Sequence, residues 1–188
     1  MKNVEFIDFS PDYLDSMVEL GEERFGEMYT NKDKLYSYVI DKKNICKLAI
    51  DKGNNRLLGF FLSHSTDVPN LSEEFKLSES DIRNVVGGHE NLCVAKSLVL
   101  QKDAEKYGLA TELVREGMEK AKEMGYYSAW SPLWIRKDNS IPAKKVIERN
   151  GFKFSEISHM LWVDDKDYKC VDCHGPCKCD AAIYYKIL

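Results

Sequence analysis

Two stretches of the chain carry residues whose types and spacing can do chemistry. The first is Cys170-x2-Cys173-x3-Cys177-x-Cys179, four thiols within ten residues. Four thiolates are enough to close a tetrahedral zinc site, and His174 can replace one of them. Gly175 and Pro176 supply a tight bend between the two pairs. Two disulfides, free thiols and an iron–sulfur site are other readings of the same spacing. The start of the chain has no apolar signal-peptide core. The expected compartment is therefore the reducing cytoplasm, where such a cluster suggests a metal more than disulfides.

The second stretch runs from Leu92 to Met124. An apolar run, Leu92–Leu100, leads through Gln101–Gly108 into a strongly periodic helix. The first amides of a helix have no intrahelical acceptor, and the helix dipole adds partial positive charge there. That combination binds anions and suits a pyrophosphate. Gly108 lets a ligand approach the backbone, Ala110 keeps the next turn narrow, and Lys102 and Lys106 can add charge. A plain strand–helix connection with one tight glycine fits the same residues.

The elements that position these stretches follow from periodicity. Val4–Phe9 alternates like a half-buried strand, and Ser10-Pro11 starts a helix with Leu14, Met17, Val18, Gly21 and Phe25 on one face. A second helix is expected around Lys32–Asp41. Ile45–Asp51 and Arg56–Ser65 form a hairpin around Lys52-Gly53-Asn54-Asn55. Residues 66–90 are polar and turn-rich and read as an irregular excursion, a lid or a substrate wall. After the Leu92–Leu100 strand, Tyr107, Ala110, Leu113, Val114, Gly117, Met118, Ala121 and Met124 share a helical face, and Gly125 ends it. Tyr126–Ser131 is a strand, Asn139 or Ser140 caps another helix, and Ser155–Val163 and Ala182–Leu188 are the last two strands. They are expected to pair, with the cysteine cluster in their connection, where a metal would staple the terminal hairpin. Mixed strands and helices imply a single layered α/β sheet domain over residues 1–188.

Glu105-Lys106-Tyr107-Gly108-Leu109-Ala110 resembles the Gln/Arg-x-x-Gly-x-Gly/Ala motif of the GCN5-related N-acetyltransferases. Ser140-Ile141-Pro142-Ala143 and Asn150-Gly151-Phe152-Lys153 resemble that family's Asn-x-x-Ala helix and closing Gly-Phe. The resemblance covers about Leu92–Val163 by motif and the first half by element order. It implies a mixed, mostly antiparallel central sheet with a splayed strand pair and flanking helices. It also implies acetyl-CoA as cosubstrate. The pyrophosphate would rest on Lys106, Tyr107, Gly108, Leu109, Ala110 and Thr111, and the pantetheine would pair with Leu98, Val99 and Leu100. Ser140 and Ala143 would flank the pantetheine or its thiol end. The implied partners are an acyl-CoA and an amine; charge and the lack of a membrane-length apolar run lead us to expect no nucleic acid and no membrane, and a homodimer is left open.

Three positions depart from the motif. Glu105 replaces Gln or Arg and places a carboxylate beside the expected pyrophosphate. Ser140 stands for Asn, and Ile147 stands where many members carry the tyrosine that protonates the leaving thiolate. Val94, Ala95, Lys96 and Ser97 offer no carboxylate at mid-strand. His89 and Glu90 at its entrance read better as a solvated loop than as a base. Trp130, Trp134 and Tyr126 read better as packing than as an acceptor pocket, and Tyr127 is one substitute for the missing acid. No catalytic residue is assigned.

The bulk properties agree with this reading. Twenty-seven basic residues against 31 acidic ones give a net charge of −4, which lacks the basic field that general nucleic-acid binding needs. The leading expectation is an N-acyltransferase moving an acetyl or short acyl group from CoA to an amine. The alternative is an acyl-CoA sensor or adaptor with the same fold and little or no catalysis.

Overall fold

The computed structural model describes residues 3–188. Its elements are β1 (Val4–Asp8), α1 (Leu14–Phe25), β2 (Gly26–Glu27), α2 (Lys32–Ile40), β3 (Ile45–Asp51), β4 (Arg56–Thr66), α3 (Val68–Phe75), α4 (Glu79–Val86) and β5 (Leu92–Leu100). There follow α5 (Leu109–Glu123), β6 (Ser128–Trp134), α6 (Lys144–Arg149), β7 (Lys153–Ser158), β8 (Lys169–Cys170), β9 (Gly175–Pro176) and β10 (Ala181–Ile187). Seven strands form one sheet in the order β1-β3-β4-β5-β6-β10-β7. Every neighbouring pair is antiparallel except β5–β6.

Helices cover both faces of this sheet. On one face α1 and α2 bury Leu14, Met17, Leu20 and Leu35 against Leu48, Phe60 and Val99. Beside them α3 and α4 bury Leu71, Phe75, Ile82 and Val86 against Val94 and Trp130. On the other face α5 buries Leu113, Val114, Met118 and Ala121 against Ala49, Leu58 and Phe61. Each helix matches its stripe of apolar residues to the sheet, and that burial is its main source of stability. Gly117 and Gly59 permit two close approaches. A Cβ at Gly117 would lie 2.3 Å from the Phe61 ring, and one at Gly59 would lie 2.4 Å from the Val99 carbonyl oxygen.

The structure corrects the expectation for residues 66–90. They are two capped helices, not an irregular excursion: Asp67 accepts from the Asn70 amide at 2.9 Å, and Ser78 accepts from the Asp81 amide at 3.3 Å. The expected strand Ser155–Val163 is also shorter, ending at Ser158, because Met160–Val163 turns under a hydrogen bond from the Val163 amide to the Met160 carbonyl. β10 enters the sheet between β6 and β7, so the last two long strands pair as expected. Among the described residues no helix is long and apolar enough to cross a membrane.

Candidate acyl-CoA cleft and thiolate cage

β5 and β6 are paired only over Leu92–Val94 and Ser128–Trp130. The last tie is the Ser131 hydroxyl, which donates to the Ala95 carbonyl at 3.0 Å. Beyond it the strands part. A bulge sharpens the divergence: on β4, Leu62 faces Ser97 while Ser63 faces Ala95, so Lys96 is an extra residue on β5. An extra residue bends its strand and increases the local twist. The gap becomes a cleft of about 820 Å³ that crosses the sheet, a size suited to a cofactor arm.

The cleft has two differently lined sides. Toward α5 and α6 it meets Leu98, Leu100, Ala143 and Ile147. Toward the opposite face it meets Tyr29, Glu74, Phe75, Leu161 and Trp162. Next to the first side, the chain after β5 reaches α5 through Lys106 at φ 70° and Gly108 at φ 80°. This left-handed backbone favours glycine at the helix start. Gly108 caps α5 with no side-chain bond, and its carbonyl accepts the Glu112 amide at 3.1 Å. The amides before Glu112 therefore have no helical acceptor, and no heavy atom lies within 4 Å of a Cβ built on Gly108.

Of the residues expected to hold CoA, Leu98, Val99, Leu100 and Ala143 line the cleft. Lys106, Tyr107 and Gly108 are exposed at the start of α5, with Leu109, Ala110 and Thr111 in its first turn. Ser140 does not line the cleft. It is exposed, and its amide is turned to the Asp138 carboxylate at 2.9 Å. Pro142 and Ile147 line the wall beyond it. Glu105 also lines the cleft, and Arg24 at the end of α1 donates to it at 2.5 Å. The carboxylate is thus neutralised by a side chain 81 residues away.

His89 and Glu90 are outside the cleft. His89 stacks on Tyr127 with ring centroids 3.6 Å apart, and Glu90 accepts from Arg83 at 2.6 Å and from the Val68 amide at 3.3 Å. The Arg83 bond holds the Glu90 carboxyl below the usual carboxylate range. Trp130 and Tyr126 are core residues, bonded to Ser128 and to the Lys43 carbonyl. Trp134 does line the cleft. The polar groups that line the far side were missed in the sequence. Tyr29 shares a hydrogen bond with buried Ser97. Burial pushes the Tyr29 hydroxyl up to about 12, the Ser97 bond offsetting part of the rise. Glu74 of α3 hydrogen-bonds His64 of β4. These pairs join residues from separate elements, and no local pattern announces them.

The four cysteines of the cluster come together. Their sulfur atoms all lie within 4.8 Å of one another, Cys173 to Cys179 at 3.5 Å and Cys170 to Cys179 at 4.0 Å. A tetrahedron of Zn–S bonds near 2.3 Å sets sulfurs about 3.8 Å apart, so the cage fits that ion. The Lys178 amide donates to the Cys173 sulfur at 3.4 Å, as thiolate ligands require of their surroundings. The Trp134 indole N–H is buried without a hydrogen-bond partner beside the cage; burial pushes the Cys179 thiol up to about 11, and the indole offsets part of that rise. The knuckle also reaches further than a terminal hairpin. Within it β8 pairs with both β9 and β2, Gly26 facing Cys170, and the Tyr168 hydroxyl donates to the Phe25 carbonyl at 2.9 Å.

No protein-family model matches the chain, and no curated protein matches it in sequence. Solved structures do match it. Arabidopsis thaliana NAA60 in complex with a bisubstrate analogue aligns with a TM-score of 0.72 at 15% identity over 98% of each chain. A chain of the NatC complex bound to Gag peptide and CoA aligns at 0.69 with 11% identity over 99% of each chain. The ribosomal-protein-S18-alanine N-acetyltransferase of Escherichia coli aligns at 0.63 with 14% identity, covering 98% of this chain and 93% of that one. At such identities the likeness speaks for architecture, that of a mostly antiparallel seven-stranded sheet flanked by helices. The chain has the fold of the GCN5-related N-acetyltransferases.

Proposed function

We propose that the chain is an N-acyltransferase that moves an acetyl or short acyl group from CoA to an amine. The parting of β5 from β6 carries this reading. Past Ala95 the backbone groups of β5 on the β6 side have lost their ladder partners, and buried amides and carbonyls need partners. A pantetheine arm carries amides that can take the place of the missing strand along Leu98–Leu100. Its pyrophosphate then falls near the free amides at the start of α5. The thioester reaches the middle of the cleft, and an amine entering from the far side can attack its carbonyl carbon. A C–N bond forms and the C–S bond breaks. Holding the two reactants across one gap supplies much of the rate.

The cysteine cage holds a structural zinc ion in this reading, bound by Cys170, Cys173, Cys177 and Cys179. Four protein ligands leave no open position, so the ion supplies folding energy and no chemistry. One observation favours a second reading, acyl-CoA binding without turnover: Ile147 puts no hydroxyl where the family's acid stands.

Two measurements test the proposal. Gly108→Asp adds a charge at the phosphate cradle and forces an aspartate into a left-handed backbone. CoA affinity should fall tenfold or more by calorimetry, on the order of 1.4 kcal/mol. Unchanged affinity sinks the site. Thiol release from acetyl-CoA with a panel of amines then separates the enzyme from the sensor, which binds CoA and releases nothing.

A further inference from the structure

The acyltransferase reading leaves open which group takes a proton from the acceptor, since an amine is mostly ammonium near neutral pH and ammonium has no lone pair to attack with. The cleft contains four carboxylates, and Glu105 is already held by Arg24. Of the other three, Glu23, Glu74 and Asp165, one belongs to a built array. Glu74 Oε2 lies 2.9 Å from His64 Nε2, and His64 Nδ1 lies 3.2 Å from the Tyr38 hydroxyl.

The array has a direction. Burial holds the Tyr38 hydroxyl well above its ordinary value, so it keeps its proton and donates to Nδ1. A neutral imidazole that accepts at Nδ1 carries its hydrogen on Nε2 and donates to Glu74. One carboxylate oxygen is thereby fixed, and the other is free to meet a ligand. The array also stands at the right level of the sheet. His64 faces Val94 across β4–β5, and Val94 is the last β5 residue paired with β6. Glu74 is therefore held where the cleft opens, on the side away from the α5 start. His64 is largely buried and Glu74 is about one third exposed, so the carboxylate is positioned yet reachable.

We propose that Glu74, held by His64, receives the acceptor's ammonium group and takes its proton. This rests on the acyltransferase reading. The ammonium gives one proton to the carboxylate, and the freed lone pair forms the C–N bond as the carbonyl pair moves to oxygen. The pair returns, the C–S bond breaks, and the second nitrogen-bound proton neutralises the CoA thiolate. Glu74 then returns its proton to water, so ammonium and thioester give amide, thiol and one proton. The acceptor class is a cationic primary amine with an apolar stem, because Phe75, Leu161 and Trp162 line the same side. The charged and titratable groups around Glu74 are His64 on β4, Tyr38 on α2, Lys96 on β5, and Glu23, Tyr29 and Asp165 elsewhere on the cleft wall. The Lys96 ammonium lies 5.4 Å from the Tyr38 ring centre.

The test uses the full chain, acetyl-CoA and three probe amines: phenethylamine, cadaverine and a tripeptide with a free amino terminus. For the amine that wild type turns over fastest, Glu74→Gln should lower kcat/KM at pH 7 by about 100-fold. CoA affinity by calorimetry and the melting temperature should stay close to wild type. Without the carboxylate only free amine reacts, so the variant's kcat/KM should climb about tenfold per pH unit toward the amine's own pKa. Wild type, which takes the ammonium form through Glu74, should rise less steeply over the same range. His64 is a positioning residue: His64→Ala should lose rate and His64→Gln, which restores a donor, should recover part of it. A Glu74→Gln protein with the wild-type rate and pH profile overturns the proposal while leaving the acyltransferase reading intact. Wild type that binds CoA yet acylates none of the probes overturns both.

Discussion

Arg24 and Glu105 change what the departure at Glu105 means. A lone carboxylate beside a pyrophosphate repels it, and the sequence shows only that carboxylate. The structure adds the guanidinium that cancels it, and both groups are a third or more exposed, at 33% and 39%. Glu105→Gln should tighten CoA binding, because it removes a negative charge and releases Arg24 toward the phosphates. Arg24→Ala should weaken it by leaving Glu105 unpaired. Calorimetry at low and high salt checks both, since screening should shrink the gap between the two variants. Equal affinities at low salt place the pair away from the phosphates. Tyr29 and Ser97 make a second residue-scale case. Tyr29→Phe strands the Ser97 hydroxyl in the core, which costs about 1–3 kcal/mol. Chemical denaturation should show the loss, and Tyr29→Phe with Ser97→Ala together should recover part of it.

At the scale of elements, the cysteine knuckle is better read as a brace than as a hairpin staple. Its strand β8 lies against β2, directly after α1, and Lys169 pairs with Glu27 at 2.7 Å across 142 residues of sequence. Gly26 has φ 126°, and a Cβ there would sit 1.9 Å from the Lys169 carbonyl oxygen. Purified protein should carry one zinc per chain by elemental analysis, and Cys173→Ser should lose it and melt lower. Because Phe25 and Tyr29 pack against the knuckle, the same variant should raise the KM for the amine while CoA affinity survives. Metal-free wild type with an unchanged melting curve in a strong chelator would remove the zinc. Elements of this kind differ in how plainly they are written. α5 was legible because fifteen residues repeat one apolar face. α3 and α4 are eight residues each, too short for that repeat to stand out, although Asp67 before Val68-Pro69 and Ser78 before Asp81 already spelled their starts. The cysteine cage was legible because its ligands are neighbours in sequence. The Glu74–His64–Tyr38 array was not, because its three members lie on α3, β4 and α2 and only the folded sheet aligns them.

For the whole molecule, the fold is shared with solved structures at 11–17% identity, so what is retained is a backbone pattern. That pattern leaves individual side chains free to differ, which is why Ile147 and Glu105 can depart from the motif without altering the sheet. The order of the strands has one more effect. β10 follows every other strand in the chain, yet it lies between β6 and β7, with Ile183 and Ala181 fully buried. Until those residues leave the ribosome, β6 and β7 each present an unpaired strand edge, the kind of edge that recruits foreign strands. The earlier strands β1, β3, β4 and β5 can pair as they emerge, while this half of the sheet must wait. A nascent chain stalled before Ala181 should therefore show a protease-resistant core ending near Glu123, after α5 has covered the first four paired strands, and a strong dependence on chaperones, and release of the β10 segment should convert it to full resistance.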